Sequence, residues 1–164
     1  MRFSKRQQHG QLAQEVYRAM LREHVAPALR AAGWKGSGSA YLLPSPGYWA
    51  QLGFQKDRYS TADQVRFTVN LSVVPRDVWA CAHDSWPSQL SARPSANTDS
   101  GALIREVDRH HCWWGRIGLL MPEHNDHWWE ISSGEDAASV GRDVVDAIRE
   151  HAIPALRAKM TGCT

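Results

Sequence analysis

A chain of 164 residues, 43% hydrophobic and 22% charged, is sized for one domain with a real core. Its formal charge of +2 is too small for the concentrated basic stripe that nucleic acid demands. No run of about 18 apolar residues occurs, and no apolar stretch follows the basic, polar start at residues 1–11, so neither membrane spanning nor export is expected and the reading is cytoplasmic. Cys81, Cys112 and Cys163 are odd in number and widely spaced, which suits reduced, buried, small apolar residues better than a disulfide framework. Arg outnumbers Lys 15 to 4. With so much Ala alongside, that bias fits codon usage and is not in itself a sign of phosphate binding.

The first element is a helix over about residues 10–32. Leu12, Val16, Met20, Leu21, Val25 and Leu29 recur at three-to-four spacing, and Gly33 stands where a left-handed cap belongs. Residues 36–39 read as a linker; their Gly and Ser lack the Lys and the spacing of a phosphate-binding loop. A short strand follows at about 40–44. Tyr48, Ala50, Leu52 and Phe54 then alternate with Trp49, Gln51, Gly53 and Gln55, and Val65, Phe67, Val69, Leu71 and Val73 alternate with Arg66, Thr68, Asn70 and Ser72. These are two half-buried antiparallel strands joined by a polar turn at 57–63. From 75 to 108 the pattern dissolves around Trp79 and Trp86, which reads as an irregular insertion or lid.

Residues 113–121 and 127–131 read as a β-hairpin carrying four of the eight tryptophans. With a loop at 122–126, Met121 opposes His127, Leu120 opposes Trp128 and Gly118 opposes Glu130. Trp113, Ile117, Leu119, Met121, Trp129 and Ile131 then share an apolar face; Trp114, Arg116, Gly118, Trp128 and Glu130 share the other. Arg116 and Glu130 become diagonal neighbours able to pair, and Trp128 lies over the bare backbone of Gly118. The last helix, about 135–160, carries Val140, Val144, Val145, Ile148, Ala152 and Leu156, with Ser132 and Glu135 at capping-box spacing before it.

The two helices repeat one phrase. Arg22-Glu23-His24, two residues, then Pro27-Ala28-Leu29-Arg30 matches Arg149-Glu150-His151, two residues, then Pro154-Ala155-Leu156-Arg157. Each Pro should bend its helix near the carbonyl four residues earlier. One His on each helix reads as structural or solvated. The expected fold is α+β: a single antiparallel sheet of about five strands with the N- and C-terminal helices packed on one face, all within one domain, 1–164.

Several blocks, in order along the chain, carry a family resemblance. Gly53-Phe54-Gln55-Lys56-Asp57-Arg58-Tyr59, Phe67-Thr68-Val69-Asn70-Leu71, Arg116-Ile117-Gly118-Leu119, Trp128-Trp129-Glu130-Ile131 and Ile153-Pro154-Ala155-Leu156 resemble the signature blocks of the domain-of-unknown-function family numbered 4304. That resemblance implies a small bacterial α+β domain and brings no established activity. Tyr59, where Trp is expected, and the long segment after Pro75 depart from the pattern.

Chemistry can be tested residue by residue. His110, His111 and Cys112 stand near the open end of the expected hairpin and His124 and His127 at its tip, roughly 30 Å apart at about 3.3 Å per residue. No metal site is expected. His111 and Cys112 are adjacent on a strand and point apart, so they are no local base and nucleophile, and no serine sits in a nucleophile elbow. No cofactor is expected.

What remains is a surface. Opposite the helix-covered face lie Trp49, Gln51, Gln55, Arg66, Thr68, Asn70, Trp114, Arg116, Trp128 and Glu130. Aromatic planes among amides and guanidinium groups suit a protein partner or a small molecule, unless residues 75–108 cover them. The first reading is a non-catalytic binding module on that face, with bacterial immunity or partner neutralisation as one form. The second is a small cofactor-independent enzyme in which Arg116 and Gln55 orient an anionic or amide-bearing substrate and Glu130 or a nearby His moves a proton. An open pocket with a carboxylate of raised pKa favours the second; an Arg116 and Glu130 that are already paired sink it. A homodimer through the same face is a third possibility.

Overall fold

The computed structural model describes residues 11–161; the basic start at 1–10 and Cys163 lie outside the described residues. Helix α1 runs through Ala13–Ala19, a π turn at Met20–Val25, and Ala26–Ala31. Gly33 at φ 90° ends it, and the Trp34 N–H reaches back to the Leu29 carbonyl at 3.0 Å. The C-terminal helix, α4, has the same construction: Ala137–Ala147, a π turn at Ile148–Ala152, and Ile153–Thr161.

The repeated phrase explains both π turns. Pro27 and Pro154 lack an N–H, and each ring would strike the carbonyl four residues back, at Glu23 and Glu150. Widening the turn relieves that contact. The Ala26 N–H accordingly bonds the Leu21 carbonyl and the Ile153 N–H bonds that of Ile148, each five residues back. The expected bends are thus π turns. The π turn of α1 packs on the first part of α4: a Cβ on Gly141 would lie 2.6 Å from the Cβ of His24.

The start of α4 differs in one detail from the capping-box expectation. Glu135 does accept from the Ser132 N–H at 2.6 Å, but the cap is Asp136, whose carboxylate accepts from the Ala138 N–H at 3.1 Å.

The sheet has six strands, all antiparallel to their neighbours: β1 Lys35–Ser37, β2 Ala40–Leu43, β3 Tyr48–Lys56, β4 Gln64–Pro75, β5 Trp113–Arg116 and β6 Trp129–Ser132. The expected linker at 36–39 is half strand, Gly36 and Ser37 ending β1, and half turn into β2, so that Ser37 faces Ala40. The polar turn at 57–63 is as expected, and the register around it pairs Lys56 with Phe67.

The tryptophan hairpin is the main correction. β5 and β6 do not pair with each other. Both pair with β4, β5 against residues 70–73 and β6 against 64–67, so they lie end to end along one edge. Between them, opposite only Thr68 and Val69, residues 117–128 leave the sheet as a 3₁₀ turn, Ile117–Leu120, and a loop. That excursion resets the alternation: Leu120 packs on the core while Leu119, expected inside, is 54% exposed, and Met121 is no longer a core residue. Trp113, Ile117, Trp129 and Ile131 keep their expected core-facing places.

Two cores flank the sheet. The larger lies under α1 and α4, where Phe67 stacks on Trp129 at 5.6 Å and touches Tyr17 at 5.2 Å. The smaller lies on the opposite face. The segment expected to be irregular opens with a ten-residue helix, α2 Arg76–Ser85, and later forms a short helix, α3 Glu106–Arg109. Trp79, Ala82, Leu90 and Ile104 from this segment pack on Val74, Trp49 and Trp114. Cys112 is half-buried beside them, but Cys81 is exposed on α2, against the expectation of burial. Among the described residues no helix is long and apolar enough to cross a membrane.

Candidate functional site

Residues on the second sheet face follow from strand alternation. Arg66, Thr68, Asn70, Ser72 and Val74 project from β4, Trp49, Gln51, Gly53 and Gln55 from β3, Trp114 and Arg116 from β5, and Glu130 from β6. The cover formed by residues 76–112 reaches only part of this face, and the candidate residues fall into three zones.

At the apolar end, Trp114 belongs to the smaller core, with its indole N–H enclosed and without a hydrogen-bond partner. Trp49 lies at the rim of the same core. The Arg76 guanidinium stacks on its ring at 3.8 Å, and that of Arg93 lies 5.5 Å from the ring centre.

In the middle, carboxamides pin a strap, residues 93–97, to the sheet. Asn70 donates to Gln55 at 2.6 Å and to Asn97 at 3.1 Å; Asn97 in turn donates to the Phe54 carbonyl at 3.3 Å. Gln51 donates to the Pro94 carbonyl at 2.8 Å. Gly53 makes the close approach possible, because a Cβ there would lie 2.7 Å from the Asn97 amide carbon. Gln55 and Asn70 are therefore committed to the fold.

At the far end, four expected residues come together. Trp128 has the guanidinium carbons of Arg116 and Arg66 at 5.1 and 5.7 Å from its ring centre. The expected Arg116–Glu130 pair does not form. Arg116 donates instead to Asp126 at 2.6 Å, and Arg66 bridges Glu130 at 3.0 Å and Asp57 at 3.3 Å. The same Asp126 oxygen accepts the Trp128 indole N–H at 2.9 Å. Partial burial works against the charge on Asp126, but the indole N–H and the two guanidinium groups outweigh it and hold its carboxyl below the ordinary carboxylate range. Nor does Trp128 cover Gly118; the backbone of Asn125 and His127 closes over that glycine, and the His127 carbonyl accepts from the buried Thr68 hydroxyl at 2.8 Å.

Asp57, Asp126 and Asn97 complete these zones and were missing from the sequence reading. Asp57 had a signal: it follows Lys56, whose partner is Phe67, so Asp57 and Arg66 meet one step further round the turn. Asp126 and Asn97 had none, because each arrives on a loop. With the hairpin gone, its separation of the histidines no longer argues against a metal. Among the described residues, no three His, Cys, Asp or Glu side chains group as a metal would need.

Fold and face together define a small α+β domain: an antiparallel sheet with helices on one face and a polar, aromatic, half-covered second face. The chain belongs to the family described as Domain of unknown function (DUF4304), whose model matches residues 25–158, from the middle of α1 through all six strands into α4. Neither the curated proteins nor the solved structures yield a match.

Proposed function

We propose that this protein is a non-catalytic binding module that docks a protein partner on the open Arg66, Trp128 and Arg116 end of the sheet. The observation carrying this reading is the charge pairing around Trp128: two guanidinium groups flank the indole and each already holds a carboxylate. An anionic substrate at Arg116 would have to displace Asp126 at 2.6 Å, and one at Arg66 would compete with Glu130 and Asp57. Enzymatic use of these cations is disfavoured accordingly. A self-neutralised patch instead suits a partner that is itself neutral there and makes planar and apolar contacts. Trp and Arg are the residue types that most often dominate interface energetics. The excursion that supplies Trp128 also presents the exposed Leu119.

The test is capture from the protein's own cell lysate, followed by reconstitution with the purified captured protein. Trp128→Ala should weaken the reconstituted complex by about tenfold or more while the melting temperature stays close to wild type. Equal binding by the variant, or an amide-exchange footprint away from residues 66, 116 and 128, would overturn the reading.

A further inference from the structure

At the other end of the same face the cations stand in a different setting, around Trp49 rather than Trp128. Between β1–β3 and the strap at 93–97 lies a cleft of about 510 Å³, lined among others by Lys35, Trp49, Gln51, Arg76, Arg93 and Asn97 and by no Asp or Glu. Among the described residues, none of Lys35, Arg76 and Arg93 pairs with a carboxylate, whereas Arg22, Arg66, Arg105 and Arg116 each do. In a chain of 19 basic and 17 acidic residues, three cations converging without a counterion form a local excess.

We propose that this cleft binds a small, multiply charged anion through phosphate or carboxylate oxygens, independently of the docking surface at Trp128. Arg76 is held in place: its Nε donates to the Ser45 carbonyl at 3.1 Å and its plane stacks on Trp49, which leaves its terminal nitrogens for a ligand. Arg93 comes from the opposite wall on a strap fixed by the Gln51–Pro94 and Asn97–Phe54 hydrogen bonds. Two guanidinium groups around one indole repel each other, and an anion between them relieves that repulsion while accepting charge-assisted hydrogen bonds. The volume lies in the range of small-molecule sites, roughly 300–1,000 Å³, and exceeds what one phosphate fills. With Arg76 on the Trp49 ring, recognition rests on charge rather than on stacking of a ligand base.

Isothermal titration of the full chain at low ionic strength, with inorganic pyrophosphate and with citrate as probes, tests the site. One saturable site with Kd below about 1 mM is expected for at least one probe, and tighter binding of pyrophosphate or of citrate distinguishes phosphate from carboxylate recognition. The K35A/R93A double variant changes two exposed side chains, so it should fold as wild type and lose about tenfold or more in affinity. Trp128→Ala should bind the anions unchanged, which separates failure of this site from failure of the docking surface. Absence of saturable binding for both probes, or a smaller loss in K35A/R93A, overturns the proposal.

Discussion

Gly118→Ala tests the edge excursion directly. A Cβ at Gly118 would press on the carbonyl oxygen of Asn125 and the backbone nitrogen of His127, and would lie 2.8 Å from the His127 Cβ. None of these is the far end of a flexible side chain, so residues 125–127 must either stay and strain or move away. Staying costs about 1–3 kcal/mol of overpacking. Moving takes the His127 carbonyl from Thr68, whose fully buried hydroxyl then lacks its 2.8 Å acceptor, at about 1–3 kcal/mol. These are alternatives along one motion and do not add. The half-exposed Asp126–Arg116 pair contributes little more.

The expected loss is therefore about 1–3 kcal/mol in urea unfolding, or a fall in melting temperature of about 2–12 °C for a domain of this size. Amide exchange should quicken in residues 117–128. Gly47→Ala makes the same chemical change where nothing lies within 4 Å and φ is ordinary, and should stay within about 0.5 kcal/mol of wild type. A Gly118→Ala variant as stable as Gly47→Ala would refute the packing of the excursion. It would favour a hairpin in which Gly118 lies under an indole that can tilt aside.

Asp126→Asn should show a pH-dependent effect of defined sign. Because the folded-state pKa is lowered, the carboxylate's contribution is present above its unfolded value of about 3.9 and is lost as pH falls through the folded value. Urea midpoints of wild type and variant should thus differ by a small, constant amount near neutrality and converge in acid; a gap that widens in acid would contradict the assignment. Asn97→Ala removes the hydrogen bonds to Asn70 and Phe54. It should cost about 1–2 kcal/mol and speed amide exchange in the cover, residues 86–112, more than in β4. Uniform exchange would mean that the carboxamides do not pin the strap.

Face was legible in the sequence; neighbour was not. Alternation assigned Trp113, Ile117, Trp129 and Ile131 to one side and Trp114, Arg116 and Glu130 to the other, and the structure keeps that division. Alternation reports which side a residue faces, whereas a constant register sum is meaningful only between strands that truly pair. The long strand β4 needed a second partner along its edge, and the two short segments both supplied it. The ion pairs changed with the neighbours. Had Gly118 faced Glu130 across a hairpin, Arg116 would have met Glu130; end to end, Glu130 stands directly opposite Arg66 and Arg116 turns to Asp126.

The half-covered face, by contrast, follows from the composition of one strand. Along its outer side β4 reads Arg66, Thr68, Asn70, Ser72, Val74, charged at one end, apolar at the other and uncharged polar between. Helix α2 leaves β4 at Arg76, so its apolar side folds back first onto the nearest surface, Val74, with Trp79 against it. Arg66 lies eight residues further along the strand, roughly 26 Å away at about 3.3 Å per residue. The cover extends toward it only through the strap, which stops where Asn97 meets Asn70. A cover anchored at the apolar end therefore protects the residues least able to face water. It leaves exposed the end whose charges are already neutralised by one another, Arg66 by Glu130 and Asp57, and Arg116 by Asp126.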